Sequence, residues 1–352
     1  MNYHDESKAK HTLKLRSKLS DLPVFARDYF RGIQDTTSSL TRIAYARDLY
    51  IFFDFISREQ PEMDGVPVSE MTLDDLGKVT PEMIEEYMEY LSYYIKSQEG
   101  KDVEIQNGER GKARKLSAVR SMFAHFCRKK MIRQNPSVLV DLPKLHGKNI
   151  IRLDADEIMR LIDETESGDH LTERQKKFHE LTKLRDTAII ILLLGTGMRV
   201  SECVGIDVMD VDFKAGGVKV TRKGGDESVL YFNEEVEDAL ARYIEHRKRL
   251  EASEADKDAL FLSLQKRRIG VRAVENLVKK YSALVTSVKK ISPHKLRATY
   301  GTRLYQETGD IYLVADVLGH NDVNTTKKHY ADMVEERRKE AANYVSLRGG
   351  KK

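Results

Sequence analysis

Apolar residues recur at steps of three and four through most of the chain, the spacing of helices that bury one face. Between residues 40 and 56 they are Leu40, Ile43, Ala44, Leu49, Phe52, Phe53 and Ile56. Asp35-Thr36-Thr37-Ser38-Ser39 offers N-cap side chains just ahead of them. Thr80-Pro81-Glu82 predicts another helix start, with Thr capping and Pro in the first turn. Met83, Ile84, Tyr87, Met88, Leu91 and Ile95 then form its inner stripe. A basic helix is predicted from Lys112 to Phe126, burying Leu116, Val119, Met122, Phe123 and Phe126. Residues 1–20 read as a polar, short helical lead, Pro61 to Val68 as a loop and Gly100 to Gly111 as a polar connection. Residues 21–135 thus predict a compact helical domain.

Pro136 and Pro143 break the pattern, so a linker is expected over 136–150. Asp154-Ala155-Asp156-Glu157 then caps a helix with Ile158, Leu161 and Ile162 inward. Ser167 to Lys183 reads as a polar insertion, and Leu184 to Leu194 as a core helix stopping at Gly195. Here the period changes. Val208–Phe213, Val218–Arg222 and Ser228–Phe232 predict short strands, the last two joined through Lys223-Gly224-Gly225-Asp226. Helical spacing returns after Glu234, with a turn at Ser292-Pro293. The expected fold is mainly α with a small antiparallel β-sheet. It divides into two domains, since 352 residues are many for one core.

Charged residues make up 33% of the chain and the mean hydropathy is −0.52. No apolar run approaches the ~18 residues of a spanning helix, and Met-Asn-Tyr-His-Asp-Glu-Ser-Lys carries no apolar leader. A cytoplasmic, nucleoid-associated protein without a membrane partner is expected. The two cysteines, Cys127 and Cys203, lack metal spacing and read as reduced core thiols. A net charge of +4 says little, but its distribution says more. Arg110, Lys112, Arg114, Lys115, Arg120, Arg128, Lys129 and Lys130 fall in a stretch with no acid. Ser263 to Arg303 holds eleven Lys and Arg against Glu275 alone. Basic faces sorted in this way suit a polyanion. Lys112, Arg114, Lys115 and Arg120 on the basic helix, with Arg222 and Lys295, are the candidate DNA contacts.

The chemistry lies in four motifs. Gly195-Thr196-Gly197-Met198-Arg199-Val200-Ser201-Glu202 comes first, then the hairpin Thr221-Arg222-Lys223-Gly224-Gly225. Pro293-His294-Lys295-Leu296-Arg297 follows, and finally Leu318-Gly319-His320 with Tyr330 ten residues beyond the histidine. Phosphodiester cleavage needs cationic donors on the phosphorane oxygens, a nucleophile, a base and an acid. Arginine forks serve the first need, His or Lys the proton transfers, and a phenol the covalent intermediate. Each residue alone has a plainer reading: a surface arginine, a helix-capping histidine, a solvated turn lysine, one tyrosine among 16. Their order and surroundings together resemble the tyrosine recombinase/integrase family over about residues 150–345. Within it, the chain looks similar to Xer-type recombinases of the single-recombinase XerS kind. The polar insertion before Arg185-Asp186, the hairpin and the absence of an arm-binding module carry that likeness.

The resemblance implies a helical SAM-like core-binding domain over 21–135 and a mixed α+β catalytic domain over 151–332. It implies that Arg199 and Arg297 hold the scissile phosphate with His320, that His294 assists proton transfer, that Lys223 protonates the leaving oxygen and that Tyr330 is the nucleophile. Lys219 and Arg222 share the hairpin with Lys223 and remain alternatives to it, and Glu202 is expected to support Arg199. The family acts on double-stranded DNA sites as a homotetramer, coupled through a C-terminal helix (here 333–352), with no metal or other cofactor. Chromosome dimer resolution is the expected role and mobile-element integration or excision the alternative. A type IB topoisomerase and a non-enzymatic DNA-binding protein are more remote. Accessory factors are left open.

Overall fold

The computed structural model describes residues 3–63, 65–98, 101–145, 151–222, 224–319 and Val323. The chain divides into two units, Met1–Lys148 and Asn149–Lys352.

In the first unit α1 (Tyr3–Leu19), α2 (Ala26–Gly32), α3 (Ser39–Glu59), α4 (Leu73–Lys78) and α5 (Pro81–Tyr90) precede a hairpin of β1 (Tyr93–Gln98) and β2 (Lys101–Gln106), then α6 (Glu109–Arg128). The expected short lead is in fact a 17-residue helix. It packs on α3, with Leu15 buried and His11 Nδ1 3.1 Å from Ser39 Oγ. The Ser38 hydroxyl caps α3 by accepting from Thr41 N–H, so Leu40 sits in the exposed first turn rather than in the stripe. Phe52, Tyr87, Leu116, Val119, Phe123 and Phe126 form the centre of the core, all buried. Burying aromatic rings of this size supplies most of the drive for such a small helical unit.

The hairpin replaces the expected end of the fifth helix and the polar connection. Leu91 and Ile95 continue the helical spacing by coincidence, but the same stretch, Tyr93-Tyr94-Ile95, favours a strand. Tyr94 pairs with Ile105, and Ile95 pairs with Glu104 and faces out, 54% exposed. A period of two and a period of about four both fit so few residues, and tertiary packing of Tyr94 decides between them. The expected linker is also partly claimed by this unit. Pro136, Ser137 and Val140 are buried, and Arg120 donates from Nε to Ser137 O at 3.1 Å and from Nη2 to Val140 O.

The second unit begins with α7 (Ala155–Ser167) and α8 (Glu173–Thr196), followed by α9 (Val200–Gly205). A three-stranded antiparallel sheet, β3 (Val211–Asp212), β4 (Gly217–Thr221) and β5 (Glu227–Tyr231), has the order β3-β4-β5. Then come α10 (Glu234–Arg247), α11 (Val271–Val285), α12 (Pro293–Thr308) and α13 (Ile311–Leu318). Asp154 and Glu157 form a capping box at α7. Most of the expected polar insertion is the front half of α8. Its buried His179 meets the Tyr281 hydroxyl at 3.0 Å, and that hydroxyl donates to Asp186 at 3.1 Å. A polar inner face linked by hydrogen bonds looks like a loop in sequence and is a helix in space. Ala188 to Leu193, buried on every side, make α8 the central helix of the unit.

Candidate active site

Three arginines from distant segments meet at the C-terminal end of α13. The first depends on how α8 stops. The helix ends at Thr196, and Gly197 takes the left-handed conformation at φ 62° that lets the chain reverse. A Cβ there would collide with the Tyr300 ring. Arg199 then opens α9. Its main-chain N–H donates to Glu202 Oε2 at 2.7 Å and its Nη1 to Glu202 Oε1 at 2.8 Å. Glu202 is buried at 3% exposure, so one carboxylate fixes both the backbone and the fork of Arg199. Arg199 Nη2 reaches Gly319 O at 3.1 Å.

The second arginine comes from α12. Pro293 starts this helix, His294 follows, and Arg297 lies one turn further along the same face. Arg297 is 5% exposed. Its Nη1 donates to Gly197 O at 2.8 Å, across 100 residues of chain, and its Nη2 to Leu318 O. Buried guanidinium is tolerated where its donors are satisfied, and carbonyls do that here. The third is Arg222, at the end of β4, whose Nη2 lies 3.3 Å from both Val317 O and Ser228 Oγ. Asp310 caps the other end of α13, accepting from Tyr312 and Leu313 N–H at 2.8 and 3.1 Å. The last carbonyls of a helix carry its negative dipole end. Cations are therefore stable there, and Val317, Leu318 and Gly319 each receive one.

The arrangement can bind an anion with preorganised N–H donors, next to a surface histidine and immediately before His320 in sequence. Of the expected catalytic residues, Arg199 and Arg297 are brought to the end of α13, and His294 stands exposed in the first turn of α12, one turn before Arg297. Lys223, His320, Tyr330 and the segment 333–352 lie outside the described residues.

The expected DNA contacts fare differently. Lys115 is buried and donates to Asn107 Oδ1 at 2.6 Å, and burial pushes its pKa down. Arg120 is spent on the Ser137 and Val140 carbonyls. Both were expected on a DNA-facing surface and both point inward, because counting charges does not say which way a helix turns them. Arg114 pairs with the buried Asp48, whose carboxyl is raised by burial despite the arginine. Lys112 lies 3.8 Å from Glu109. The solvent face of α6 instead carries Arg110, Arg114, Ala124 and Arg128. Lys295 is partly exposed in the first turn of α12. Arg222, also expected to touch DNA, points at α13, a placement that no local signal in the hairpin announces.

Residues 151–337 match the phage integrase family. The chain is 32% identical over 322 residues to tyrosine recombinase XerC of Caldanaerobacter subterraneus subsp. tengcongensis, covering 90% of this chain and 84% of that protein. It is 30% identical over 302 residues to tyrosine recombinase XerC of Thermodesulfovibrio yellowstonii, covering 84% and 86%. Among solved structures, XerH bound to palindromic difH in a post-cleavage complex superposes with a TM-score of 0.63 at 18% identity, covering 87% of this chain and 80% of that one. A lambda integrase dimer on a COC′ core site gives 0.58 at 16% identity, covering 86% and 95%. Those structures share the mainly helical fold with a small antiparallel sheet that the sequence led us to expect.

The chain belongs to the phage integrase family, the tyrosine recombinases. It is a site-specific recombinase of the Xer kind.

Proposed function

We propose that this recombinase cuts and rejoins double-stranded DNA through a 3′-phosphotyrosine and a Holliday junction, and that it resolves chromosome dimers in the cytoplasm. One observation carries the site assignment. Arg199 and Arg297 converge on the Leu318-Gly319 turn that leads directly into His320. A scissile phosphate replaces carbonyl oxygens as their partner at little reorganisation cost, which is where most catalytic advantage lies. Tyr330 oxygen attacks phosphorus as the bond to the 5′-oxygen breaks. His294 takes the phenolic proton and Lys223 gives one to the leaving oxygen. The 5′-hydroxyl of a second duplex then reverses the step, so one phosphodiester is exchanged for another and no nucleotide is consumed.

The complexes of XerH and lambda integrase with their DNA sites support a DNA substrate, and the XerC relatives favour the chromosomal role over mobile-element integration or excision. Four protomers act together in this reading. An apolar groove of about 450 Å³ in the second unit, lined by Met159, Ile162, Leu194, Val236 and Leu304, suits the amphipathic segment Tyr344-Val345-Ser346-Leu347 of a neighbouring copy. The test is direct. Incubation with a nicked duplex of the cognate site in EDTA gives a denaturation-resistant protein–DNA adduct, and Tyr330→Phe abolishes it. An adduct that survives in the Phe variant refutes the nucleophile. Relaxation of supercoils by a monomer without a defined site points to a topoisomerase instead, and binding with no adduct to a regulator.

A further inference from the structure

We infer that Arg222, the residue before Lys223 in sequence, is a positioning residue that fastens the start of the β4–β5 turn to the C-terminal end of α13. The inference rests on Lys223 being the acid of the proposed reaction. The turn needs a fastening. It contains Gly224 at φ 120° and Gly225 at φ 110°, conformations that favour glycine, so no side chain on either residue holds the turn in place. A general acid works only within hydrogen-bond reach of its target.

Arg222 supplies constraint in two ways. Its main chain closes the turn, donating to Asp226 O at 2.7 Å and accepting from Gly225 N–H at 3.1 Å. Its guanidinium spans the Ser228 hydroxyl on β5 and the Val317 carbonyl on α13, 3.3 Å from each. The helix end attracts the cation, and the planar fork holds a direction that an ammonium would not. Gly319 fits the same contact. It lies at φ 59°, and a Cβ on it would overlap the Arg222 guanidinium. Val317, Leu318 and Gly319 therefore take Arg222, Arg297 and Arg199 in turn. The hairpin and both phosphate arginines are indexed to a single helix end. Lys219, the other hairpin cation, is engaged with Glu227 at 3.2 Å and Asp210 at 3.9 Å.

The proposal separates positioning of the acid from contact with DNA. When Tyr330 displaces the 5′-oxygen, that oxygen needs the proton from Lys223. A 5′-bridging sulfur leaves as a thiolate and needs none. Single-turnover cleavage is measured on both substrates for wild type, Arg222→Gln, Ser228→Ala and Lys223→Ala. Arg222→Gln slows cleavage of ordinary DNA about 10–100-fold, part of the contribution of a general acid, and returns to within a few-fold of wild type on the sulfur substrate. Ser228→Ala, which removes one of the two anchors and keeps the arginine, shows a smaller loss with the same restoration. Lys223→Ala is restored as well. An Arg222→Gln enzyme as fast as wild type on ordinary DNA overturns the inference. So does one that stays slow on the sulfur substrate while Lys223→Ala recovers, since the guanidinium then serves the phosphate, the duplex or the fold. Failure of Lys223→Ala to recover removes the acid assignment itself, and the inference falls with it.

Discussion

Replacing Glu202 by Gln tests whether a buried carboxylate aims Arg199. The side chain keeps its size. Its amide oxygen still accepts the Arg199 main-chain N–H, at the place of the 2.7 Å bond. The amide NH₂ then faces Arg199 Nη1, which stood 2.8 Å from a carboxylate oxygen, donor against donor. One charge-assisted hydrogen bond is lost at a site 3% exposed, a cost of about 1.5–3 kcal/mol. For a unit of this size the melting temperature falls by roughly 3–10 °C. The guanidinium keeps its charge but loses its direction. Removing one preorganised oxyanion donor costs about 10²–10³-fold in rate, so misdirecting one is expected to cost about 10–100-fold in single-turnover cleavage. DNA affinity stays the same or rises, because Arg199 is less neutralised. The assay pairs a cleavage time course at saturating DNA with an equilibrium titration. A variant that melts lower but cleaves at the wild-type rate shows that Glu202 is structural only, and equal losses in affinity and rate show that Arg199 acts by binding alone.

Gly197→Ala forces a left-handed alanine, about 1–2 kcal/mol, and drives a methyl into Tyr300, about 1–3 kcal/mol more. It lowers the melting temperature and displaces the carbonyl that holds Arg297, and an unchanged melting curve with normal cleavage refutes this. Arg120→Met leaves the Ser137 and Val140 carbonyls without their donor. It destabilises the first unit by about 1–3 kcal/mol and leaves the salt dependence of DNA binding as it was, whereas a slope reduced by about one unit places Arg120 on a phosphate. Asp75 is held down to about 2 from 3.8, first by Lys78 and then by the Thr72 N–H and hydroxyl. A depressed carboxyl stabilises the fold above its unfolded pKa and stops doing so as pH falls through its folded pKa. The stability gap between wild type and Asp75→Asn in urea titrations is therefore full above pH 3.8 and closes on approach to 2; a gap that does not change with pH contradicts the capping arrangement.

Local signals sufficed where one residue type can do the job. Thr80 before Pro81 and Asp154 with Glu157 are caps whose chemistry acts within a single turn, whereas α8 runs through the expected stop at Gly195 and reverses only at Gly197. The helical stripes of α3, α5 and α6 were legible because burial of one face imposes its period on the sequence. The candidate site was legible as motifs, because binding an anion demands arginine and a tight turn demands glycine. Direction was not legible. Lys115, Arg120 and Arg222 carry the same charge as any DNA-binding side chain, yet each is turned toward an oxygen supplied from elsewhere: Asn107, the Ser137 and Val140 carbonyls, and the end of α13. The hairpin of Tyr93–Gln106 was hidden for a related reason, since its few apolar residues satisfy both periods until Tyr94 finds its place in the core. Sequence alone determined which chemical groups this recombinase has and those helices whose single buried face imposes a regular period. Tertiary structure decided which partner each long cation meets, because a flexible side chain is placed by the nearest unsatisfied oxygen in space and not by its neighbours in the chain.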